Sequence, residues 1–110
     1  MDDLANKACF ACEGGTPPLT SKEITKYQAQ VDSQWAVIKN HSIKKKFKFE
    51  DFKQAMVFVN KVADLANSEG HHPDIYIFYS IVEIELYTHA VKGLSENDFI
   101  MAAKMDKIKQ

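Results

Sequence analysis

The sequence predicts an α+β fold: a four-stranded, mostly antiparallel sheet with three helices packed on one face. Three observations carry that expectation. Helical periodicity occurs in three separate stretches, two of which open with the same capping signature. Between the helices lie runs rich in isoleucine, valine, phenylalanine and tyrosine, with the period-two alternation of strands. The resulting order (helix, hairpin, helix, two strands, helix) sorts the helices to one side of a sheet.

A chain of 110 residues is one domain. Apolar residues make up 45% and charged residues 26%, an ordinary soluble balance. The formal net charge of −1 implies no bulk attraction to nucleic acid or to an anionic membrane. The start, Met1-Asp2-Asp3-Leu4, is acidic where a secretory signal would be basic and then apolar. No apolar run approaches a membrane span. Two cysteines make no disulfide framework. The expectation is a cytoplasmic protein with residues 1–19 as an N-terminal arm and 20–110 as the single domain.

In the arm, Cys9-Phe10-Ala11-Cys12 is followed by Gly14-Gly15-Thr16-Pro17-Pro18, which punctuates the chain. A zinc site would need a second pair at finger spacing, and none follows. A redox pair would open a helix in a βαβ setting, whereas glycines and prolines follow here. The expectation is reduced surface thiols on a mobile arm, dispensable for any activity.

Thr20-Ser21-Lys22-Glu23 is a capping box, with Leu19 and Ile24 as its hydrophobic staple. Ile24, Tyr27 and Val31 give the first helix one apolar face, ending near Val31. A hairpin follows, with flanks at Trp35 to Lys39 and Ile43 to Phe49 around the turn Asn40-His41-Ser42. Its second strand puts Lys44, Lys46 and Lys48 in a row on one face. Without neighbouring arginines, that row reads as a solvated face that also blocks edge pairing. His41 falls in the turn and is expected to be exposed.

Asp51 caps the longest helix. Phe52, Ala55, Met56, Val59, Val62, Ala63 and Ala66 recur at three- and four-residue spacing, and Gly70 sits where a left-handed C-terminal residue belongs. Pro73 forbids continuation and pushes His72 to an extended conformation. The β-rich run that follows, residues 74–90, would span roughly 55 Å as one strand, so it must split, near Tyr79-Ser80. The later strand alternates Val82, Ile84 and Leu86 with Glu83 and Glu85, as a half-buried strand does. The earlier one is apolar on both faces, Ile75 and Ile77 against Tyr76 and Phe78, which calls for a cover such as a second subunit. Lys92-Gly93 turns the chain. Ser95-Glu96-Asn97-Asp98 is again a capping box, stapled by Leu94 and Phe99, and Phe99, Ala102 and Ala103 form the packing face of the last helix.

Gly70-His71-His72-Pro73-Asp74, answered by Thr88-His89, holds three of the four histidines. Composition and spacing leave three readings open. Adjacent histidines at a helix end can cap free carbonyls. Three histidines can hold zinc, although no carboxylate or cysteine is spaced to complete a helical HExxH arrangement, and neighbours in extended chain point to opposite sides. Several histidines around one small molecule can transfer protons, because imidazole titrates near neutrality.

The segments Gly70-His71-His72-Pro73-Asp74-Ile75, Thr88-His89, Gly93-Leu94-Ser95 with Asp98, and Ala102-Ala103 resemble the signature of the pterin-4a-carbinolamine dehydratases. The likeness extends through Leu19 to Trp35, and through Phe47, Phe49, Asp51 and Phe52. The pattern H-H-P, with His89 seventeen positions after His72 and then G-L-[ST]-x-x-D, is specific. The order of helices and strands agrees with the fold that the family implies. One position departs: Asn67 stands four residues before His71, where family members often carry an acid that would favour an imidazolium.

The resemblance implies a hydro-lyase, which removes water from a 4a-hydroxytetrahydropterin to give the quinonoid dihydropterin, in tetrahydrobiopterin recycling. Such a step needs an acid and a base, with no metal and no redox cofactor. By resemblance, His71 and His89 transfer protons, and His72 orients the pterin and shares that work. Pro73 shapes the pocket wall. Asp98 is either the third residue of a capping box or a contact to pterin or histidine. Trp35 belongs to the core or the pocket rim, and is a candidate for substrate binding with Pro73 and Asp98. A homodimer or homotetramer is implied. The alternative is a protein-binding regulator, since animal relatives also act as dimerisation cofactors of a homeodomain transcription factor.

Overall fold

A computed structural model describes residues 4–10 and 14–109. The helices are α1 (Ser21–Gln28), α2 (Phe52–Glu69) and α3 (Glu96–Lys109), and the strands are β1 (Ala36–Ile38), β2 (Ser42–Lys48), β3 (Asp74–Phe78) and β4 (Ile81–Leu86). Single 3-10 turns lie at Leu4–Asn6 and His89–Val91. The fold is α+β as predicted, with antiparallel pairs in the order β1-β2-β4-β3.

Local chemistry sets the joints. Both halves of the first capping box form, Thr20 Oγ1 accepting from Glu23 N at 3.2 Å and Glu23 Oε1 from Thr20 N at 2.9 Å. The hairpin turn puts Lys39 and Asn40 at φ 52° and 56°, closed by His41 N donating to Ile38 O at 2.8 Å. Two successive left-handed residues match the twist of paired strands. Tyr79, at φ 54°, makes the break between β3 and β4. Gly93 is needed for a different reason: a Cβ there would meet Pro18 Cβ at 2.8 Å, where Leu19 N bonds Leu94 O.

The core lies between the sheet and the helices. Ile43, Phe47, Val82, Ile84 and Leu86 project from the sheet onto Ala55, Phe58, Val62 and Ala66 of α2 and onto α3. This corrects the expected stripe of α2. Phe52, at its first residue, is 48% exposed, while Phe58 is buried and touches both Phe47 and Phe49. The helix turns 100° per residue, so the true buried row is 55, 58, 62, 66 and Phe52 lies off it. On the outer face, Lys44, Lys46 and Lys48 do form a row, but β4 supplies Glu85 and Glu83 opposite Lys44 and Lys46. The row is thereby matched in charge, which fits a solvated face.

Two departures concern burial. Lys45, between the outward lysines, points inward and is 8% exposed. Its Nζ meets Asp106 Oδ1 at 2.6 Å, and Trp35 Nε1 donates to Asp106 Oδ2 at 3.0 Å. The second departure is α3, which buries Asn97, Asp98, Phe99, Ile100, Met101, Ala102 and Met105, far more than one face. The reason is the segment expected to be a mobile arm. Leu4 is buried in the core, Lys7 bonds Glu96, and Phe10 N and O bond the side chain of Asn97. Residues 4–10 thus pack against α3, and Tyr27 of α1 adds to the cover by stacking on Phe99. Cys9 is half-buried, and its backbone N donates to Glu69 Oε1 at 2.8 Å. Burial first, and then Glu69, push its thiol up to about 12, so it is a poor nucleophile at neutral pH. Cys12 lies outside the described residues.

Three outcomes follow. Phe58→Ala should destabilise by about 3–5 kcal/mol, as for other buried phenylalanines, and Phe52→Ala by less than about 1 kcal/mol; denaturant titration of both checks the corrected stripe. Asp106→Ala leaves the buried Trp35 indole N–H without its acceptor, while Lys45 keeps the more exposed Asp32 carboxylate at 3.2 Å, and should lose about 1–3 kcal/mol in the same measurement. Glu69 is held below the usual carboxylate range, chiefly by the Cys9 N–H and then by Lys104. A depressed folded value means that its contribution is present above the unfolded value and is lost as pH falls through the folded one. Hydrogen exchange should show the Cys9 amide protected near neutral pH, and losing protection before the core strands do as pH falls through the lowered Glu69 value.

Candidate active site

The site forms where α2 ends. Gly70 adopts φ 68°, a left-handed conformation that glycine takes at no steric cost. The backbone N–H groups of Gly70 and His71 both reach Ala66 O, the latter at 3.2 Å. The helix end is therefore capped by backbone, and the imidazoles are not spent on that task. Pro73 then releases the chain into β3.

His71 points inward, with its side chain 12% exposed, and its Nε2 lies 2.7 Å from Asp98 Oδ1. Asp98 has no exposed surface at all. Its Oδ2 accepts from Thr88 Oγ1 and from Ser95 N, each at 2.9 Å. Ser95 Oγ lies 2.8 Å from Thr88 Oγ1. Because the Thr88 proton goes to Asp98, Ser95 donates to Thr88. A buried carboxylate with three donors is stable in the interior, where an unpaired one would not be. The second capping box is half made: Asp98 reaches back to Ser95 N, while the serine hydroxyl goes to Thr88 and the Asp98 amide bonds Ser95 O. Asp98 is thus both a capping residue and a histidine contact.

His72 is exposed, and its Nε2 lies 3.1 Å from Asn67 Oδ1, so the departing Asn67 supplies a neutral acceptor one turn back on α2. His89 begins the 3-10 turn that follows β4, and its ring packs on Tyr87 at 4.5 Å between centroids. His41 also meets the Tyr87 ring, at 5.2 Å between centroids. His41 is exposed as expected but is not contactless.

These groups border one cleft of about 400 Å³, lined among others by His71, His72, Pro73, His89, Tyr87 and Phe10. The volume is in the range of small-molecule sites. The structure therefore brings together His71, His72, Pro73 and His89, with Asp98 directly behind His71. Trp35 is not brought there: it is fully buried, edge-on to Phe47 and bonded to Asp106. Phe10, Tyr87 and Asn97 were missed in the sequence. Tyr87 stands two residues before His89, and a period-two reading puts both on one face; Phe10 carried no signal, because its neighbours read as a loose arm. Among the described residues, no group of three or more His, Cys, Asp or Glu side chains is placed to hold one metal ion. Among the same residues, no helix is long and apolar enough to cross a membrane.

A sequence model described as pterin 4 alpha carbinolamine dehydratase matches residues 17–108. A relative from Alkaliphilus metalliredigens, provisionally named pterin-4-alpha-carbinolamine dehydratase, is 48% identical over 107 residues, covering 97% of this chain and 96% of its own. A relative of the same provisional name from Nitrosospira multiformis is 48% identical over 110 residues, covering 100% of this chain and 96% of its own. Among solved structures, a transcriptional coactivator/pterin dehydratase from Brucella melitensis aligns with a TM-score of 0.80 at 33% identity, over 84% of this chain and 99% of that one. A pterin dehydratase-like protein, described as a RuBisCO assembly factor in the alpha-carboxysome, aligns with a TM-score of 0.60 at 26% identity, over 69% of this chain and 89% of that one. By the match to residues 17–108 and by near-full-length identity to these relatives, the chain belongs to the pterin 4 alpha carbinolamine dehydratase family.

Proposed function

We propose that this protein removes water from a 4a-hydroxytetrahydropterin, giving the quinonoid dihydropterin in tetrahydrobiopterin recycling, with His71 and His89 as the proton-transferring pair. The observation that carries the reading is His71 held by buried Asp98 in the cleft that also exposes His89. The C4a–O bond breaks, a ring-nitrogen lone pair forms the new double bond, a proton joins the leaving hydroxyl and a ring N–H proton is lost. Electrons balance without oxidant or reductant, so one acid and one base suffice.

The roles follow from the hydrogen bonds. With Nε2 engaged by Asp98, His71 offers Nδ1 to substrate, and a carboxylate that fixes tautomer and ring orientation suits it to the base. Asp98 also faces the positive charge that the ring acquires in the step, as the carboxylate behind a catalytic imidazole does. His89 is then the proton donor to the leaving hydroxyl. His72 orients the pterin, and Pro73 forms the wall beside it. The reading expects no metal and no redox cofactor.

The protein is further proposed to be a homodimer or homotetramer. β3 is an edge strand, with Tyr76, Ile77, Phe78 and the adjoining Tyr79 between 41% and 70% exposed. An apolar edge with unpaired backbone groups favours addition of another strand. The same edge supports the second reading, a protein-binding regulator, which would dock a partner there and require no histidine chemistry.

Spectrophotometric dehydration of a hydroxylase-generated carbinolamine is the direct test. His71→Ala and His89→Ala should each lower kcat by roughly 10²- to 10⁴-fold with little change in Tm, and His72→Ala should mainly raise KM. His41→Ala, one ring removed from the cleft, is the control and should stay near wild type. The double variant at His71 and His89 should lose far less than the product of the single effects. Near-wild-type turnover in the folded single variants would sink the assignment and leave the regulator. The Cys9→Ser/Cys12→Ser variant should keep its turnover. Sedimentation at micromolar concentration should give an oligomer that Phe78→Lys dissociates; a wild-type monomer would contradict the edge pairing.

A further inference from the structure

Phe10 is an exposed phenyl group held in a fixed place. The residue is 52% exposed and lines the histidine cleft. Its backbone is clasped on both sides, Phe10 N donating to Asn97 Oδ1 at 3.0 Å and Asn97 Nδ2 donating to Phe10 O at 2.6 Å. Asn97 is itself 2% exposed and sits one residue before Asp98, in the first turn of α3. One residue earlier, Cys9 N is tied to Glu69, whose other oxygen takes Lys104 Nζ at 2.7 Å. Glu69 immediately precedes Gly70-His71. Two successive residues of the N-terminal segment are thus fastened to the two helix ends that carry His71 and Asp98.

A side-chain amide that satisfies both the N–H and the C=O of one residue fixes that residue's position as a strand neighbour would. Fixing an apolar ring that remains half in water gains little for folding, because its burial is incomplete. It does provide a preorganised aromatic surface beside a cleft, and a rigid aromatic loses little entropy when a flat ligand stacks on it. We propose that Phe10 is a substrate-stacking residue, which receives one face of the bicyclic pterin and so belongs to the binding machinery, with Asn97 as its positioning residue. This assignment rests on the dehydratase reading and adds to it a residue outside the 17–108 stretch that matches the family.

The test uses the full chain and a fully oxidised pterin, which is fluorescent and cannot be dehydrated, with turnover measured in parallel. Phe10→Ala should weaken binding of the oxidised pterin and raise KM by about 5- to 10-fold, the worth of one aromatic pair, with kcat within about twofold. Phe10→Trp should restore binding. Asn97→Ala should show the same KM effect, and the double variant should be no worse than Phe10→Ala alone, because both remove one stacking surface. Thermal melts of Phe10→Ala should match wild type. Equal binding by wild type and folded Phe10→Ala, with turnover intact, would overturn the stacking role and leave the dehydratase reading standing. A wild-type protein that neither binds nor dehydrates the pterin would overturn both.

Discussion

A carboxylate with no access to water has to be surrounded by donors, and Asp98 organises the molecule around that requirement. Its three donors come from three places: the end of β4 through Thr88, the N-terminus of α3 through Ser95, and the C-terminus of α2 through His71. None of these elements can shift alone without leaving a buried polar atom unpaired, at about 1–3 kcal/mol or more for a charged group. The Thr88–Gly93 bridge and the left-handed Lys92 then fix the short loop that carries His89. The geometry of the cleft is therefore a consequence of satisfying one buried group, and the histidines inherit their placement from it.

Helix α3 carries a second, partly exposed acid two turns on. Asp106 takes the Lys45 ammonium and the Trp35 indole, tying β2 and the entry to β1 to the same helix. The two acids do different things. Asp106 joins secondary elements across the core, far from the cleft; Asp98 joins them and also addresses an imidazole. Between them, the apolar residues of α3 are covered by the sheet, α1 and α2 and also by residues 4–10. That double cover explains why this helix has no single polar stripe, although its sequence contains five charged residues between Glu96 and Lys107.

Much of this was legible in the sequence because the signals were local. Capping boxes, the turn at Asn40, the break at Tyr79 and the glycine before His71 each follow from a few neighbouring residues and the conformations they allow. The histidine cluster was legible as a cluster for the same reason, and the family signature gave it a meaning. What stayed hidden depends on contacts between residues far apart in the chain. The Lys45–Asp106 pair spans 61 positions and the Phe10–Asn97 clasp 87. Period two sets Lys45 with Phe47 and Phe49 on the face opposite the lysine row, as the burial pattern of β2 has it, but nothing local names its acidic partner. Phe52 and Phe58 are both compatible with a three-to-four periodicity, and the choice between them is made by the phenylalanines of β2 that Phe58 meets. The docked N-terminal segment was unreadable because its anchors, Leu4 and the backbone of Cys9 and Phe10, carry no periodicity.

The distribution of exposure across the three histidines fits the demands of the proposed chemistry. A base that must take a proton from a ring nitrogen gains from a fixed angle, which the 2.7 Å contact of His71 with Asp98 supplies. An acid that gives its proton to a departing water must be recharged from solvent each turnover, and His89 lies exposed at the cleft edge, its ring packed at a tilt against Tyr87. A ring contact of this kind restrains the imidazole without using its nitrogens, whereas a hydrogen bond would occupy one of them. His72, bonded to a neutral amide and exposed, can turn its remaining nitrogen to the substrate with no charge on its partner. Rigid support is thus concentrated on the histidine that must be aimed, and solvent access on the one that must be reset. A single buried carboxylate can serve only the first of these without closing the cleft to water.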